Sequence, residues 1–240
     1  MSRIRTVAAR ELRAYFNSPI AYVFLLAFAG AALFTFFTLE GFFSRGRADL
    51  RGLFEAIPVL MLMLVPALTM RLWSEEEKQG TLELLLTFPA RDHELVAGKF
   101  LASLSLLAVG LVLTFGLAFT AAALGNLDWG PAAGGYVGAI LLGAAYLAVG
   151  QFVSATTENQ ILSFILSLVV CLALFGLGTE AVAGLFSDRV GGVLRALGTG
   201  SRFESIARGV IDLRDVLYYL SLTGFFLGMS IAALRAKRWA

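Results

Sequence analysis

The sequence predicts an all-α membrane protein: a bundle of six transmembrane helices, with an N-terminal interfacial helix, a cytoplasmic helix between the second and third spans, and an amphipathic helix outside the membrane before the last span. Three observations carry this expectation. Apolar residues make up 58% of the 240-residue chain and charged residues 15%, where a soluble domain has about 45–50% and about 25%. The apolar residues gather into six runs near the ~20 residues that cross a ~30 Å hydrocarbon layer. The charges fall almost wholly between those runs.

Residues 3–16 place Ile4, Val7, Ala8, Leu12 and Tyr15 on one helical face, with Arg3, Arg10 and Arg13 opposite and Arg5 and Glu11 at the edges. Such a helix can lie at the headgroup level; the alternative is an ordinary positive tail. Asn17-Ser18-Pro19 then turns the chain into a first span over 19–39, with Pro19 suited to a first helical turn. Ala27-Phe28-Ala29 resembles a signal-peptide cleavage site, but the apolar run continues to Leu39, which fits a spanning helix better. The second span is expected over 56–72, containing Pro58 and Pro66. The third covers 97–124, the fourth 134–155, the fifth 160–178 and the sixth 216–234. Gly130, Gly134 and Gly138 repeat at small-xxx-small spacing, followed by Gly143 and Gly150, and point to close helix packing.

Basic residues orient these spans. Arg3, Arg5, Arg10 and Arg13, then Arg71, Lys78, Arg91 and Lys99, then Arg235, Lys237 and Arg238 fall on one side of a six-span chain. Eight basic residues fall on the other, five of them in a long loop over 179–215 that also holds five acids. Both termini are therefore expected in the cytoplasm.

In that long loop, Phe203, Ile206, Ala207, Val210 and Ile211 follow helical i, i+3, i+4, i+7, i+8 spacing. Glu204, Arg208 and Asp212 form an i, i+4 charge ladder on another face. The predicted helix is either a substrate or partner surface or a helix packed on the outer ends of the bundle.

Much chemistry is excluded. A net charge of +2 implies no nucleic-acid partner. One cysteine, Cys171, and one histidine, His93, cannot build a disulfide framework or a haem or metal site. Gly98-Lys99-Phe100 lacks the Ser/Thr and the spaced glycine of a phosphate-binding loop, and His93-Glu94 lacks the second histidine of a zinc protease. The spans hold almost none of the mid-membrane ionisable residues that ion-coupled transporters use; Gln151 is expected in the last turns of the fourth helix. The energy source is expected outside the membrane.

The loop over 74–92 is the most informative segment. Ser74 and Glu77 have capping-box spacing, and Glu75, Glu76 and Glu77 suit the positive end of a helix. The apolar run from Thr81 to Leu86 is too short to span and is stopped by Phe88-Pro89; Asp92 could cap the next helix. A short cytoplasmic helix with exposed leucines is expected, against the alternative of a solvated loop.

This loop resembles the ABC-2 permease family, which carries a Glu-rich turn, a Gly-Thr-Leu-Glu-Leu-Leu run, a proline, and a Gly-Lys entering the third helix. Here these are Glu75 to Glu77, Gly80 to Leu86, Pro89 and Gly98-Lys99. Arg10-Glu11-Leu12 and Tyr15-Phe16-Asn17-Ser18-Pro19 also match. The stretch from Phe203 to Tyr219 resembles the gliding-motility and nitrous-oxide-reductase-maturation branch. The resemblance implies a non-catalytic permease subunit of an ATP-driven exporter in the inner membrane. It implies a coupling helix in which Glu75, Glu76, Glu77, Thr81, Leu82, Glu83 and Leu85 meet a separate P-loop ATPase subunit. No cofactor is expected in this chain; ATP and magnesium belong to that partner, present in two copies. A second permease copy or paralogue is implied, and an auxiliary or periplasmic subunit is compatible with it. A force-transmitting subunit that moves no substrate, and a stand-alone secondary transporter, are the alternatives. On the extracytoplasmic side the residues of interest are Phe203, Ile206, Arg208, Val210 and Asp212.

Overall fold

Pro19 opens the first long helix at a position where its missing N–H costs nothing, and the Ser18 hydroxyl accepts from the Ile20 N–H at 3.4 Å. The computed structural model describes residues 3–39, 41–45, 48–82, 90–210 and 212–238. Among the described residues there are helices and turns and no strand. The helices are α1 (Arg3–Asn17), α2 (Pro19–Phe34), α3 (Phe42–Arg45), α4 (Arg51–Thr69), α5 (Ser74–Lys78), α6 (Asp92–Leu113), α7 (Phe115–Leu124), α8 (Trp129–Thr156), α9 (Gln160–Gly176), α10 (Glu180–Ala183), α11 (Asp188–Leu197), α12 (Thr199–Ala207) and α13 (Leu213–Arg238).

Among the described residues, five helical stretches are long and apolar enough to cross a membrane. They contain α2, α4, α6 with α7, α8 and α13. The apolar helix α9 has 17 residues, about 25 Å at 1.5 Å per residue. It still runs the length of the bundle. Gln160 at its start accepts from Arg71 at 3.2 Å, and Phe175 at its far end packs on Gly200. One end of the bundle thus gathers α1, α5, the start of α6 and the close of α13. The distal end gathers the connections near residues 41–50, 125–128 and 177–212.

The helix limits differ from the sequence expectation in informative ways. The helix of the second expected span already begins at Arg51, and that of the last runs from Leu213 to Arg238. The first span widens into a π-helical turn at Thr35–Leu39. The third breaks at Thr114, whose hydroxyl donates to the Leu111 carbonyl at 2.7 Å and meets the Tyr136 hydroxyl at 3.1 Å. Phe115 stacks on the Tyr136 ring just beyond the break.

The centre of the bundle is α8, which packs on α13, α4, α12, α9 and α6. Its glycines make that possible. A Cβ at Gly138 would meet Ile206 at 3.1 Å and Phe203 at 3.3 Å, and one at Gly134 would strike the Ile206 carbonyl at 2.6 Å. Outward, the long helices present apolar side chains such as Leu26, Met63, Ile161, Val169, Leu217 and Phe225, the surface that a hydrocarbon surround requires. A second, smaller core of Leu72, Trp73, Leu82, Leu95, Val96, Ala155 and Leu234 closes the end that holds the termini.

At the distal end the expected amphipathic helix is shorter than its spacing predicted. Phe203 and Ile206 are buried against α8 as the apolar face requires. The helix stops at Ala207, because Gly209 takes a left-handed φ of +89° that favours glycine. Val210 is therefore 62% exposed. Asp212 instead caps α13 by accepting from the Arg214 N–H at 2.9 Å. The charge ladder does not form; Arg208 Nε donates to the Glu204 carbonyl at 3.2 Å. Ile211 lies outside the described residues.

Candidate functional site

The site is built on the run from Trp73 to Leu82. After α4 ends at Thr69, a turn holds residues 70–73 and α5 carries the three acids. The expected capping box is absent. The Ser74 hydroxyl donates back to the Met70 carbonyl, and Glu77 turns its carboxylate to Lys237. The turn is fixed from α8, where the Ser154 hydroxyl accepts from the Trp73 and Ser74 N–H groups at 3.0 and 3.2 Å and donates to the Met70 carbonyl. Gln151, one turn earlier on α8 and fully buried, donates to the Val96 carbonyl at 3.0 Å.

Two of the acids of α5 face other helices and one faces the preceding turn. Glu75 lies 3.7 Å from Arg71 of that turn. Glu76 lies 2.9 Å from Lys99 of α6. Glu77 pairs with Lys237 of α13. A fourth bridge joins Asp92 at the start of α6 to Arg235 of α13 at 3.3 Å. Asp92 was expected to cap α6; Glu94 does that work, accepting from the Arg91 N–H at 2.9 Å.

Lys99 is the centre of this arrangement. It is only 2% exposed, and an unpaired buried ammonium would cost several kcal/mol. Glu76 at 2.9 Å and Glu11 of α1 at 3.4 Å offset that cost, and the Trp73 ring lies 4.9 Å from Nζ. Glu76 lies beyond the last apolar turn of α4. Burial raises its carboxyl above the ordinary carboxylate range, and the Lys99 charge opposes that shift. The cluster is incompletely hydrogen-bonded: Tyr15 Oη, Trp73 Nε1 and Glu76 Oε2 are buried and have no partner among the described residues. Burial also pushes the Tyr15 phenol upward, with Glu11 adding to the shift.

The N-terminal helix joins through packing. Ile4, Val7, Ala8, Leu12 and Tyr15 are half-buried, the face expected from the spacing, and Glu11 is half-buried with them. That face lies on α6, where Val7 fills the space that a side chain at Gly98 would need. Of the expected coupling residues, Thr81 is exposed and its hydroxyl donates to the Glu76 carbonyl at 3.2 Å. Leu82 corrects the expectation of exposed leucines. It is 6% exposed and packed with Trp73, Leu95 and Val96, because the left-handed turn at Gly80, φ +67°, folds the chain back toward the bundle. Glu83 and Leu85 lie outside the described residues. The free surface of the turn is Lys78, Gln79, Gly80 and Thr81.

Sequence reasoning did not find Lys99, Glu11 or Lys237 as parts of this site. It counted Lys99 and Lys237 among the orienting charges, and Lys99 and Glu11 within the stretches that resemble the family, without bringing them together. The one available signal was Lys99 entering an apolar helix directly after a glycine.

A family model described as ABC-2 family transporter protein matches residues 8–195, more than three-quarters of the chain. This chain belongs to the ABC-2 transporter family. The ABC-2 match runs from α1 through α11 and so includes the acidic turn and the Lys99 cluster. No curated protein matches the chain. Membership makes this ABC-2 protein a multi-pass membrane protein, the membrane component of an ABC transporter that works with an ATPase subunit.

Proposed function

We propose that the chain is the permease subunit of an ABC-2 exporter in the inner membrane, with six spans, both termini cytoplasmic, and the acidic turn as the surface on which a separate P-loop ATPase acts. The observation that carries this is the wiring of α5. Its three carboxylates lead to the turn after α4, to α6 and to α13, and through Lys99 to α1. A push on the exposed tip at Lys78 to Thr81 therefore reaches three other helices through charged contacts rather than through one flexible loop. ATP and magnesium are bound by the partner. Two ATPase copies facing two permeases, identical or related, would bias the bundle between two states according to their differential affinity for each.

A pull-down tests the docking surface. Lys78→Glu combined with Thr81→Arg changes exposed side chains only. The expected result is loss of the co-purifying ATPase with an unchanged melting temperature. Retention of the ATPase at wild-type stoichiometry refutes the assignment of this surface.

A second reading is favoured by the distal end. Tyr146 and Thr199 are joined by their hydroxyls at 2.9 Å, Tyr219 donates to the Thr199 carbonyl at 2.7 Å, and Arg202 binds Asp215 at 2.7 Å. A segment bolted this firmly to α8 and α13 suits force transmission to a partner beyond the membrane, in keeping with the resemblance to the gliding-motility and nitrous-oxide-reductase-maturation branch. Substrate flux in reconstituted vesicles separates the two: ATP-dependent flux supports export, and its absence in an ATP-hydrolysing complex supports force transmission.

A further inference from the structure

At the distal end, the first two turns of α4, the last turn of α9 and one side of α12 enclose a cavity of about 530 Å³. Its volume falls in the range of small-molecule sites, and its lining is divided by chemistry. Phe54, Pro58 and Phe203 are buried side chains that form the apolar part, with Phe175 half-buried beside them. Arg51, Arg195 and Arg208 are exposed around it, against the acids Glu55 and Glu204. The excess is cationic.

Two of these arginines, Arg51 and Arg208, form no ion pair with a carboxylate among the described residues. Arg51 is also the first residue of α4, where the field of the helix disfavours a cation. No ion pair among the described residues offsets the charge there; an anion in the cavity would offset it. The apolar walls continue past the cavity toward the middle of the bundle. On α4 the next outward residues, Val59 and Met63, are 56% and 62% exposed, and on α9 Leu172 and Val169 are each 54% exposed. Cations at the end of a bundle, above two apolar stripes that face the surround, match a molecule with an anionic head and a hydrocarbon tail. A soluble anion would leave the aromatic lining without a role, whereas the tail of a lipid joins the hydrocarbon that both stripes already face.

We propose that this cavity is a binding site for an anionic lipid, its phosphate-bearing head between Arg51 and Arg208 and its acyl chain along the stripes of α4 and α9. The proposal rests on the chain being a membrane protein and not on its coupling to an ATPase, so the pull-down above and the experiment below fail independently.

The test uses the full chain in zwitterionic detergent. Phosphatidylglycerol is titrated and the melting temperature followed, with phosphatidylcholine and inorganic phosphate as controls. Phosphatidylglycerol is expected to give a saturable rise that neither control gives. Arg51→Gln with Arg208→Gln should weaken apparent binding by about tenfold or more, the worth of a charge-assisted hydrogen bond, without moving the lipid-free melting temperature. Glu55→Gln with Glu204→Gln should tighten it. Equal effects of the two lipids, undiminished binding in the arginine variant, or no tightening in the glutamine variant each overturn the proposal. A matching rise from inorganic phosphate overturns the lipid in favour of a free anion.

Discussion

Lys99 holds Glu76 at 2.9 Å with an ammonium that solvent scarcely reaches. A buried ion pair is costly to break from one side, because the abandoned charge stays buried. Lys99→Met leaves Glu11 and Glu76 facing each other and should destabilise the protein by about 3–5 kcal/mol. Adding Glu11→Gln and Glu76→Gln should recover most of that loss. Melting curves of the single and triple variants check both statements. A harmless Lys99→Met would mean that the cluster does not close this end of the bundle.

The seat of α1 on α6 depends on the notch at Gly98. Gly98→Val forces a side chain against Val7 and should cost about 1–3 kcal/mol, the usual cost of overpacking. Amide exchange should rise across Arg3–Asn17, and a second change, Val7→Ala, should reverse part of it. Unchanged exchange in α1 would contradict the packing.

Leu82 and Thr81 are neighbours with opposite roles. Leu82→Ala removes a buried side chain and should cost about 2–5 kcal/mol. Thr81→Ala lies at the exposed tip and should stay within about 0.5 kcal/mol. Thermal denaturation of the two variants decides whether Leu82 belongs to the small core or stands free. The assembly test above avoids Leu82 for this reason.

Thr199 is gripped twice, at its hydroxyl by Tyr146 and at its carbonyl by Tyr219. Tyr146→Phe and Tyr219→Phe should each cost about 0.5–1.5 kcal/mol. Their sum should exceed the cost of the double variant, since both act on one residue. Exchange should quicken in α11 and α12 and stay constant in α1 and α6. Additive costs would show that the two contacts are independent.

The long helices were legible because a hydrocarbon solvent leaves a coarse signature: about 20 apolar residues in a row, opened at Ser18-Pro19 and broken by charged connections. The apolar face of α1 was legible for a related reason, since helical spacing sorts Ile4, Val7, Ala8, Leu12 and Tyr15 without reference to any partner. Helix limits were less so. Spacing alone carried the distal helix on to Asp212, but one left-handed glycine, Gly209, ends it at Ala207. The site itself was the least legible. Glu11 and Lys99 lie 88 residues apart in the chain, and no local pattern marks two charges that will meet inside a fold. Ser74 and Glu77 had the right interval for a capping box, yet each found a stronger partner elsewhere, the Met70 carbonyl and the Lys237 ammonium.

The bridge between Glu77 and Lys237 also imposes an order on biosynthesis. The acid leaves the ribosome 160 residues before its base. At about 5–20 residues per second, that is a delay of roughly 8–30 seconds. Asp92 waits for Arg235 across 143 residues in the same way. Until α13 is inserted, the acidic turn lacks the Lys237 contact of Glu77, and the start of α6 lacks the Arg235 contact of Asp92. This end of the bundle therefore gains its full set of ion pairs only after the other long helices have been made.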